Sequence, residues 1–256
     1  MDEPSKAEEL PRVVRLLWGR DEPGRRGPKP AHTIHDIAAA AVRIADTDGL
    51  DAVSMSAVAG AVGVTTMALY RYVDAKSDLF VAMVDSAYGP PPRKRSNGGW
   101  RKQLQTWASL NRAALGRHPW IVQIPISEPP LAPNQLRWME RGLQAFAGTP
   151  LSEQEKLSSL LLAEVYVRGQ VLLSTQIGDA LEHNPLTERE ADDRYVRRLA
   201  QLIDEDDFPY LSAALMSGSL QDDTDFAQEE FLFGLQTVLD GVEARIERGS
   251  AARRRR

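Results

Sequence analysis

The stretch "GAVGVTTMALYRYVDAKSDL", residues 60–79, decides the fold of this 256-residue chain. An apolar run ends at Gly63, and a second short run follows at 65–72. Glycine suits the end of a helix because it adopts a left-handed backbone conformation without steric cost. We therefore predict a helix, a tight turn and a second helix. The apolar residues expected to pack the two helices together are Val58, Val62, Val64 and Leu69.

The second of these helices carries Tyr70, Arg71 and Tyr72 side by side, where a buried helix would carry Leu and Val. Phenol and cationic groups suit phosphate oxygens, and an arginine can pair with guanine. The pattern favours a helix-turn-helix motif, whose second helix lies in the DNA major groove. The alternative is that both tyrosines seal a small domain against the next helix, since tyrosine combines an apolar body with a polar tip.

Helical periodicity extends over most of the chain, and no alternating β-branched run is present. We predict a helix at 33–48, with Thr33 and Asp36 as a capping pair, and a helix from Ala75 to Tyr88 that Asp74 caps. The further predicted helices are 100–117, 134–147, 152–177, 188–204, 207–217 and 224–248.

Composition excludes several classes of site. The chain has no cysteine, so it forms neither disulfides nor thiolate metal sites. Its net charge of −5 gives no global attraction to nucleic acid, so a DNA site must be local. It has neither an uninterrupted apolar run of ~18 residues nor a signal peptide, so we expect no membrane partner and a cytoplasmic location.

The stretch "VTTMALYRYVDAKSDL" (64–79) resembles the recognition helix and following linker of the tetracycline-repressor (TetR) family of transcription regulators. The preceding "IHDIAAAAVRIADTDGLDAVSMSAVAGAVG" is similar to the family's first two helices, and "EFLFGLQTVLDGVEARIE" (230–247) to its last. The resemblance implies base contacts at Thr65, Thr66, Met67 and Arg71, and phosphate contacts at Ser56, Tyr70, Tyr72 and Lys76.

Basic residues also precede the first helix. Arg25 and Arg26 lie in a Gly/Pro-rich segment that could enter a minor groove or serve as a solvated tether. The proline- and glycine-rich stretch after Tyr88 predicts a domain boundary. The predicted organisation is an arm at 1–30, a helix-turn-helix domain at 31–88, a linker at 89–99, an effector-binding and dimerisation domain at 100–250, and a basic tail at 251–256.

Family resemblance implies that the second domain encloses a small-molecule effector. The expected ligand-binding residues are Trp107, Asn111, Trp138, Glu164 and Arg168. Ordinary core packing is the alternative for the tryptophans, and an i,i+4 ion pair is the alternative for Glu164 and Arg168. The tetracycline repressor holds its antibiotic and magnesium with histidines, whereas this chain has Pro92 and Pro125 near those positions. We therefore expect an apolar or aromatic effector, no metal and no cofactor.

The last helix has a broad apolar face that predicts a homodimer interface or burial within the chain. The expected interface residues are Phe231, Leu235, Val238 and Leu239. The predicted fold is all-α: a three-helix helix-turn-helix domain followed by a larger helical domain. The predicted function is a non-enzymatic, ligand-responsive regulator, most simply a repressor, that binds a palindromic operator as a dimer. One alternative is a helical enzyme using Glu164, Arg168 and His118, for which no catalytic motif appears. The other is an interaction protein whose helix-turn-helix domain at 31–88, which we call the reading head, has lost DNA binding.

Overall fold

The computed structural model describes residues 9–20, 32–93, 97–182, 187–219 and 226–254, and within these ranges the chain forms helices and turns without a strand. Helices α1 to α5 are Arg12–Leu17, Ile34–Asp48, Met55–Val62, Thr66–Leu69 and Lys76–Tyr88. Helices α6 to α11 are Trp100–Arg117, Pro133–Leu143, Glu153–Glu182, Glu188–Leu202, Pro209–Met216 and Phe226–Arg254. The all-α prediction is confirmed.

Local capping fixes the start of the first long helix. The Thr33 hydroxyl accepts a hydrogen bond from the Asp36 backbone, and the Asp36 carboxylate accepts one from the Thr33 backbone at 2.8 Å. The predicted capping pair is therefore confirmed. The predicted cap of α5 is wrong, because the Asp78 carboxylate, rather than the Asp74 side chain, accepts the free backbone donors there: Asp74 at 2.9 Å and Ala75 at 3.3 Å.

Helices α2, α3 and α5 pack around an apolar core. Its fully buried side chains include Ile37, Val58, Leu69, Val73, Leu79 and Met83. The α1 helix lies against α2 and α5. It buries Val13, Val14 and Leu17, whereas Trp18 remains exposed and donates its indole N–H to the Leu131 carbonyl at 2.9 Å.

The chain divides into two compact units, residues 1–161 and 162–256, so the division falls within α8. The first unit holds α1 to α7 together with the start of α8. In the second unit, Tyr166 on α8 stacks on Phe231 of α11 and donates its hydroxyl to the Glu230 carbonyl at 2.8 Å. The predicted functional boundary at 89–99 lies inside the first unit and stays a prediction.

One stretch of the described residues, Glu153–Gly178 in α8, is long and apolar enough to cross a membrane by length and composition alone. Charged residues interrupt this stretch, so it contains no uninterrupted apolar run of about 18 residues. Only 28% of its apolar window is buried. Exposed apolar surface of this kind marks an interaction with protein or with lipid.

Candidate functional site

Two capped helices and a glycine build the helix-turn-helix. The Ser54 hydroxyl accepts a hydrogen bond from the Ala57 backbone and starts α3. Gly63 ends α3 in the left-handed conformation, with φ of 78°, and the following Val64 N–H returns to the Ala59 carbonyl at 2.9 Å. This pair of features is the Schellman arrangement, and it redirects the chain within two residues.

The Thr65 hydroxyl then caps the recognition helix by accepting the Ala68 N–H at 3.2 Å. The regular helix ends at Leu69, three residues earlier than predicted, and continues as a turn in which the Tyr72 N–H bonds to the Leu69 carbonyl at 2.9 Å. Leu69 and Val73 are fully buried. Their burial orients the opposite side of the helix toward solvent.

The outward side carries the residues that were predicted to face DNA. Met67 is 78% exposed and Tyr70 is 44% exposed, and Arg71 lies beside them on the exposed surface. Residues three and four apart share one face of a helix, so Met67 groups with Tyr70 and Arg71. This face combines an apolar methyl, a phenol and a guanidinium.

The flanking predicted contacts lie at the edges of this face. Ser56 is exposed in the first turn of α3, with its hydroxyl 3.1 Å from that of Ser54, and Thr66 is half-buried. Lys76 is exposed at the start of α5, with its Nζ 5.2 Å from the centre of the Phe80 ring. The Asp78 carboxylate that caps α5 lies in the same first turn.

Tyr72 is placed differently from Tyr70. It is half-buried, and its hydroxyl donates a 3.0 Å hydrogen bond to the backbone carbonyl of His32. A phenol has one hydrogen to donate, and phosphate oxygens only accept. Tyr72 would therefore have to give up this bond to donate to a phosphate. Arg25 and Arg26 lie outside the described residues.

The predicted effector residues of the first unit are close together and buried. The Trp107 indole N–H donates to the Trp138 carbonyl at 2.9 Å, and the Trp138 indole donates to the Gly89 carbonyl at 3.0 Å. Asn111 is buried on the same helix as Trp107. Both indole donors therefore have structural partners, and both tryptophans are buried in the first unit.

A small, shallow groove lies between α6 and α7 next to Trp107, with about 10 Å³ of enclosed space. Its lining residues are Gln103, Thr106, Trp107, Leu110, Arg141 and Gln144. Glu164 and Arg168 are half-buried on α8 in the second unit. Among the residues that the structure describes, no cluster of three or more His, Asp or Glu could hold a metal ion.

The expected interface residues on α11 are mostly enclosed by the chain itself. Phe231, Leu235 and Leu239 are fully buried, and Val238 is half-buried. On α11, Leu232 and Phe233 keep exposed apolar surface. Further exposed apolar side chains lie along α8 at four-residue steps. They are Leu157, Leu161, Val165, Leu173 and Ile177, with Gly169 completing the series.

Sequence reasoning missed two aspartates that join elements of the first unit. Asp46 on α2 accepts hydrogen bonds from His118 Nδ1 at 2.8 Å and Trp120 Nε1 at 2.7 Å. Asp85 on α5 accepts the backbone N–H of Asn134 at 2.7 Å. A signal existed for Asp85, which is the one charged residue in the apolar run "FVAMVDSAY" (80–88).

Family models match both parts of the chain. Residues 37–83 match "Bacterial regulatory proteins, tetR family", and residues 91–246 match "Tetracyclin repressor-like, C-terminal domain". The HTH-type transcriptional repressor DrrR1 of Streptomyces coeruleorubidus is 34% identical over 98% of this chain and 92% of its own length.

Solved structures share the fold. The TetR family protein ActR of Streptomyces coelicolor, in complex with actinorhodin, superposes with a TM-score of 0.70 at 23% identity, over 85% of this chain and 99% of its own. BioQ with its natural double-stranded DNA operator superposes with a TM-score of 0.53 at 18% identity, over 82% and 98%.

Proposed function

Because this chain belongs to the TetR family of transcriptional repressors, we propose that it binds a palindromic DNA operator as a homodimer and leaves it when a small-molecule effector binds. The observation that carries this proposal is the exposed face of Met67, Tyr70 and Arg71 on a capped helix with a buried opposite side. That face is open to solvent, and its chemistry matches a DNA groove.

Within this proposal, some side chains of the helix-turn-helix contact bases and others contact the phosphate backbone. Arg71 offers a guanidinium fork to guanine, and Met67 and the threonine methyls of Thr65 and Thr66 offer apolar contacts to thymine. Tyr70 and Ser56 offer hydroxyl donors to phosphate oxygens, and Lys76 offers a charge to the same backbone. The phosphate contacts would hold the register while Arg71 and Met67 read the bases.

Dimerisation is proposed through the exposed apolar series on α8. One reading head covers few base pairs, whereas two heads related by a two-fold axis match a palindrome. Side chains such as Val165, which is 59% exposed, would gain burial from a second copy. Of the α11 residues expected at the interface, Val238 has surface left to contribute, and Phe231, Leu235 and Leu239 would support it from beneath.

The effector is proposed to bind in the first unit at the groove beside Trp107. Trp107 lines this groove and suits an aromatic or apolar ligand, and Arg141 with Gln103 would orient polar substituents on it. Trp138 would support Trp107 from behind by accepting its indole N–H. Asn111 would contribute from the buried side, and Glu164 and Arg168 stay predicted contacts. The ligand shifts operator affinity only if it binds the DNA-free arrangement more tightly.

Relatives of this chain are transcription regulators, and a regulator of this kind works where the chromosome is. We propose a cytoplasmic location on that ground. The apolar length of α8 is then accounted for by the subunit interface rather than by lipid.

The DNA-binding proposal is tested with Arg71→Gln and Lys76→Gln, each titrated against operator DNA and random DNA over a range of salt concentrations. Loss of a base contact should cost about 1–3 kcal/mol on the operator and relax its sequence preference. Loss of a phosphate contact should weaken binding to both DNAs and reduce the salt slope by about one. The proposal would be contradicted if both variants and the wild type bound the operator and random DNA with the same affinity at every salt concentration.

The effector proposal is tested by tryptophan fluorescence with actinorhodin and with tetracycline, each with and without magnesium. We expect any quenching to be independent of magnesium and reduced in Trp107→Phe. A tight complex with tetracycline that requires magnesium would contradict an apolar or aromatic, metal-free effector.

A further inference from the structure

Asp85 is a carboxylate in the core of the first unit, with only 1% of the residue exposed. Its Oδ1 accepts the backbone N–H groups of Asn134 at 2.7 Å and Gln135 at 3.3 Å. Its Oδ2 accepts the Asn134 side-chain amide at 3.1 Å. These donors belong to the first turn of α7, whose own N-cap position, Ala132, provides no side-chain oxygen. Asp85 thus caps α7 from a different helix.

The orientation of Asn134 is fixed from both sides. Its amide oxygen accepts a 2.8 Å hydrogen bond from Arg137 Nη1, so its amide nitrogen turns toward Asp85. That nitrogen also donates to the backbone carbonyl of Asp85 at 3.0 Å. Asn134 is therefore the donor and Asp85 the acceptor in each of the hydrogen bonds between them.

A second attachment lies one turn further along α7. Trp138 donates to the Gly89 carbonyl at 3.0 Å and packs edge-on against Tyr88 at 6.1 Å. On its other side, the Trp138 carbonyl accepts the Trp107 indole of α6. Hydrogen bonds thus connect the groove between α6 and α7 to the end of α5.

The N-terminal end of α5 comes shortly after the recognition turn, residues 70–72, which continues the recognition helix. Val73 and Leu79, on either side of that junction, are fully buried in the head. A close-packed interior transmits a shift rather than absorbing it. A displacement of α7 that moves Asp85 should therefore move the reading head with α5.

Burying an ionised side chain at position 85 costs free energy. Burial raises the pKa of the Asp85 carboxyl, while the backbone donors of Asn134 and Gln135 and the charges of Arg137 and His35 offset part of that effect. Well-packed apolar residues often stabilise a core more than buried charges do. A directional role explains the carboxylate better than stability does.

We propose that Asp85 is a positioning residue, whose hydrogen bonds to Asn134 and Gln135 set the angle between the reading head and helices α6 and α7. In the dimer of the proposed function, on which this inference rests, that angle determines the separation of the two heads. An effector that moves α7 would act on the operator through this cap.

The test is a double-mutant cycle with Asp85→Asn, Asn134→Asp and both together. Asp85→Asn can place an amide N–H donor opposite the amide N–H donor of Asn134, so that no acceptor faces it. Asn134→Asp places a second carboxylate opposite that of Asp85, so that no donor faces either side chain. The double variant restores one donor and one acceptor in exchanged positions. Affinity is measured by fluorescence anisotropy on a duplex carrying the wild-type operator and on the same duplex with one half-site scrambled.

We expect each single variant to bind the full operator about tenfold more weakly, with the half-site affinity unchanged, and the double variant to recover most of the loss. Residues that only stabilised the fold would not change the ratio of the two affinities in folded protein. An unchanged ratio in both single variants, or no recovery in the double variant, would overturn the inference.

A milder variant, Asn134→Ala, keeps the backbone cap and removes only the side-chain bonds. If the Asp85→Asn and Asn134→Asp variants do not fold, Asn134→Ala provides the test. Weaker binding to the full operator with unchanged half-site affinity supports the inference, and an unchanged ratio of the two affinities overturns it. Failure of wild-type protein to distinguish the full operator from the half-site would instead contradict the proposed function.

Discussion

The hydroxyl of Tyr72 donates to the backbone carbonyl of His32 at 3.0 Å and so ties the recognition turn to the residues that precede α2. Tyr70, two positions earlier, is 44% exposed on the outward face. Two phenols that are two residues apart in one short motif therefore have different environments. The difference separates a residue that shapes the head from one that can contact DNA.

Replacing each phenol by phenylalanine should separate these roles. Tyr72→Phe loses a hydrogen bond within the protein, and we expect it to lower the free energy of unfolding by about 1 kcal/mol with little change in operator affinity. Tyr70→Phe should leave stability unchanged and weaken operator binding. Urea denaturation and anisotropy on the same samples measure both quantities, and a reversed pattern would show that Tyr72 is the phosphate contact.

Asp46 holds the corner after α6 against α2. Asp46→Ala removes the acceptor of the buried Trp120 indole, and we expect a loss of about 1–3 kcal/mol in the free energy of unfolding. Asp46→Asn keeps an oxygen in place and should lose less. Equal stability of the alanine variant and wild type, by urea denaturation, would mean that water replaces the carboxylate without cost.

Two helical glycines should respond oppositely to alanine. A Cβ on Gly142 of α7 would overlap Leu160 and approach Trp107, whereas one on Gly116 of α6 would meet open space. We expect Gly142→Ala to destabilise the fold by about 1–3 kcal/mol through overpacking. Gly116→Ala should stabilise it by about 0.5–1 kcal/mol through lower unfolded-state entropy. Thermal unfolding of the matched pair gives the comparison.

The pH dependence of the free energy of unfolding should reveal the buried environment of Asp85. Burial raises the pKa of Asp85 in the folded chain, so the folded chain binds this proton more tightly than the unfolded chain does. Its contribution to the free energy of unfolding is therefore largest below about pH 4 and falls as pH rises through the raised pKa. The stability of wild type relative to Asp85→Asn should decrease over that interval in urea titrations.

Asp36 provides the opposite control. The backbone hydrogen bond from Thr33, with a further bond from the Thr33 hydroxyl, lowers the pKa of the Asp36 carboxyl. Its contribution is present above the ordinary aspartate pKa and is lost as pH falls through the lowered value. Wild type relative to Asp36→Asn should therefore gain stability with rising pH. A parallel trend for both variants would contradict the assigned environments.

The subunit interface is tested by placing a charge in the exposed apolar series of α8. Leu173→Glu should convert a dimer to a monomer in light scattering, because an unpaired charge is costly to bury. Ile126→Glu, at another exposed apolar position in the loop before α7, is the control and should leave the mass unchanged. A dimeric Leu173→Glu would place the interface elsewhere.

Local signals accounted for most of the helices. The capping pairs Thr33–Asp36 and Ser152–Glu155 mark where α2 and α8 begin, because their donors and acceptors are three residues apart. The exposed positions of Met67, Tyr70 and Arg71 followed from the helical period. Such features depend on neighbours in the sequence, and the sequence displays them directly.

Contacts between distant segments were not predictable in this way. Asp85 and Asn134 are 49 residues apart, and Asp46 and Trp120 are 74 apart. No periodicity specifies which helix end a carboxylate will cap. The apolar face of α11 was equally ambiguous, since burial within the chain and burial in a dimer require the same residue types.

Operator recognition is tested by the binding of wild-type protein to the intergenic DNA beside its own gene, compared with shuffled DNA of the same composition. Fluorescence anisotropy at two salt concentrations measures both. We predict saturable binding to a palindrome in the intergenic DNA, weaker at the higher salt concentration and much tighter than binding to the shuffled sequence. Equal affinity for the two DNAs at both salt concentrations would contradict the assignment of the exposed recognition face to operator reading.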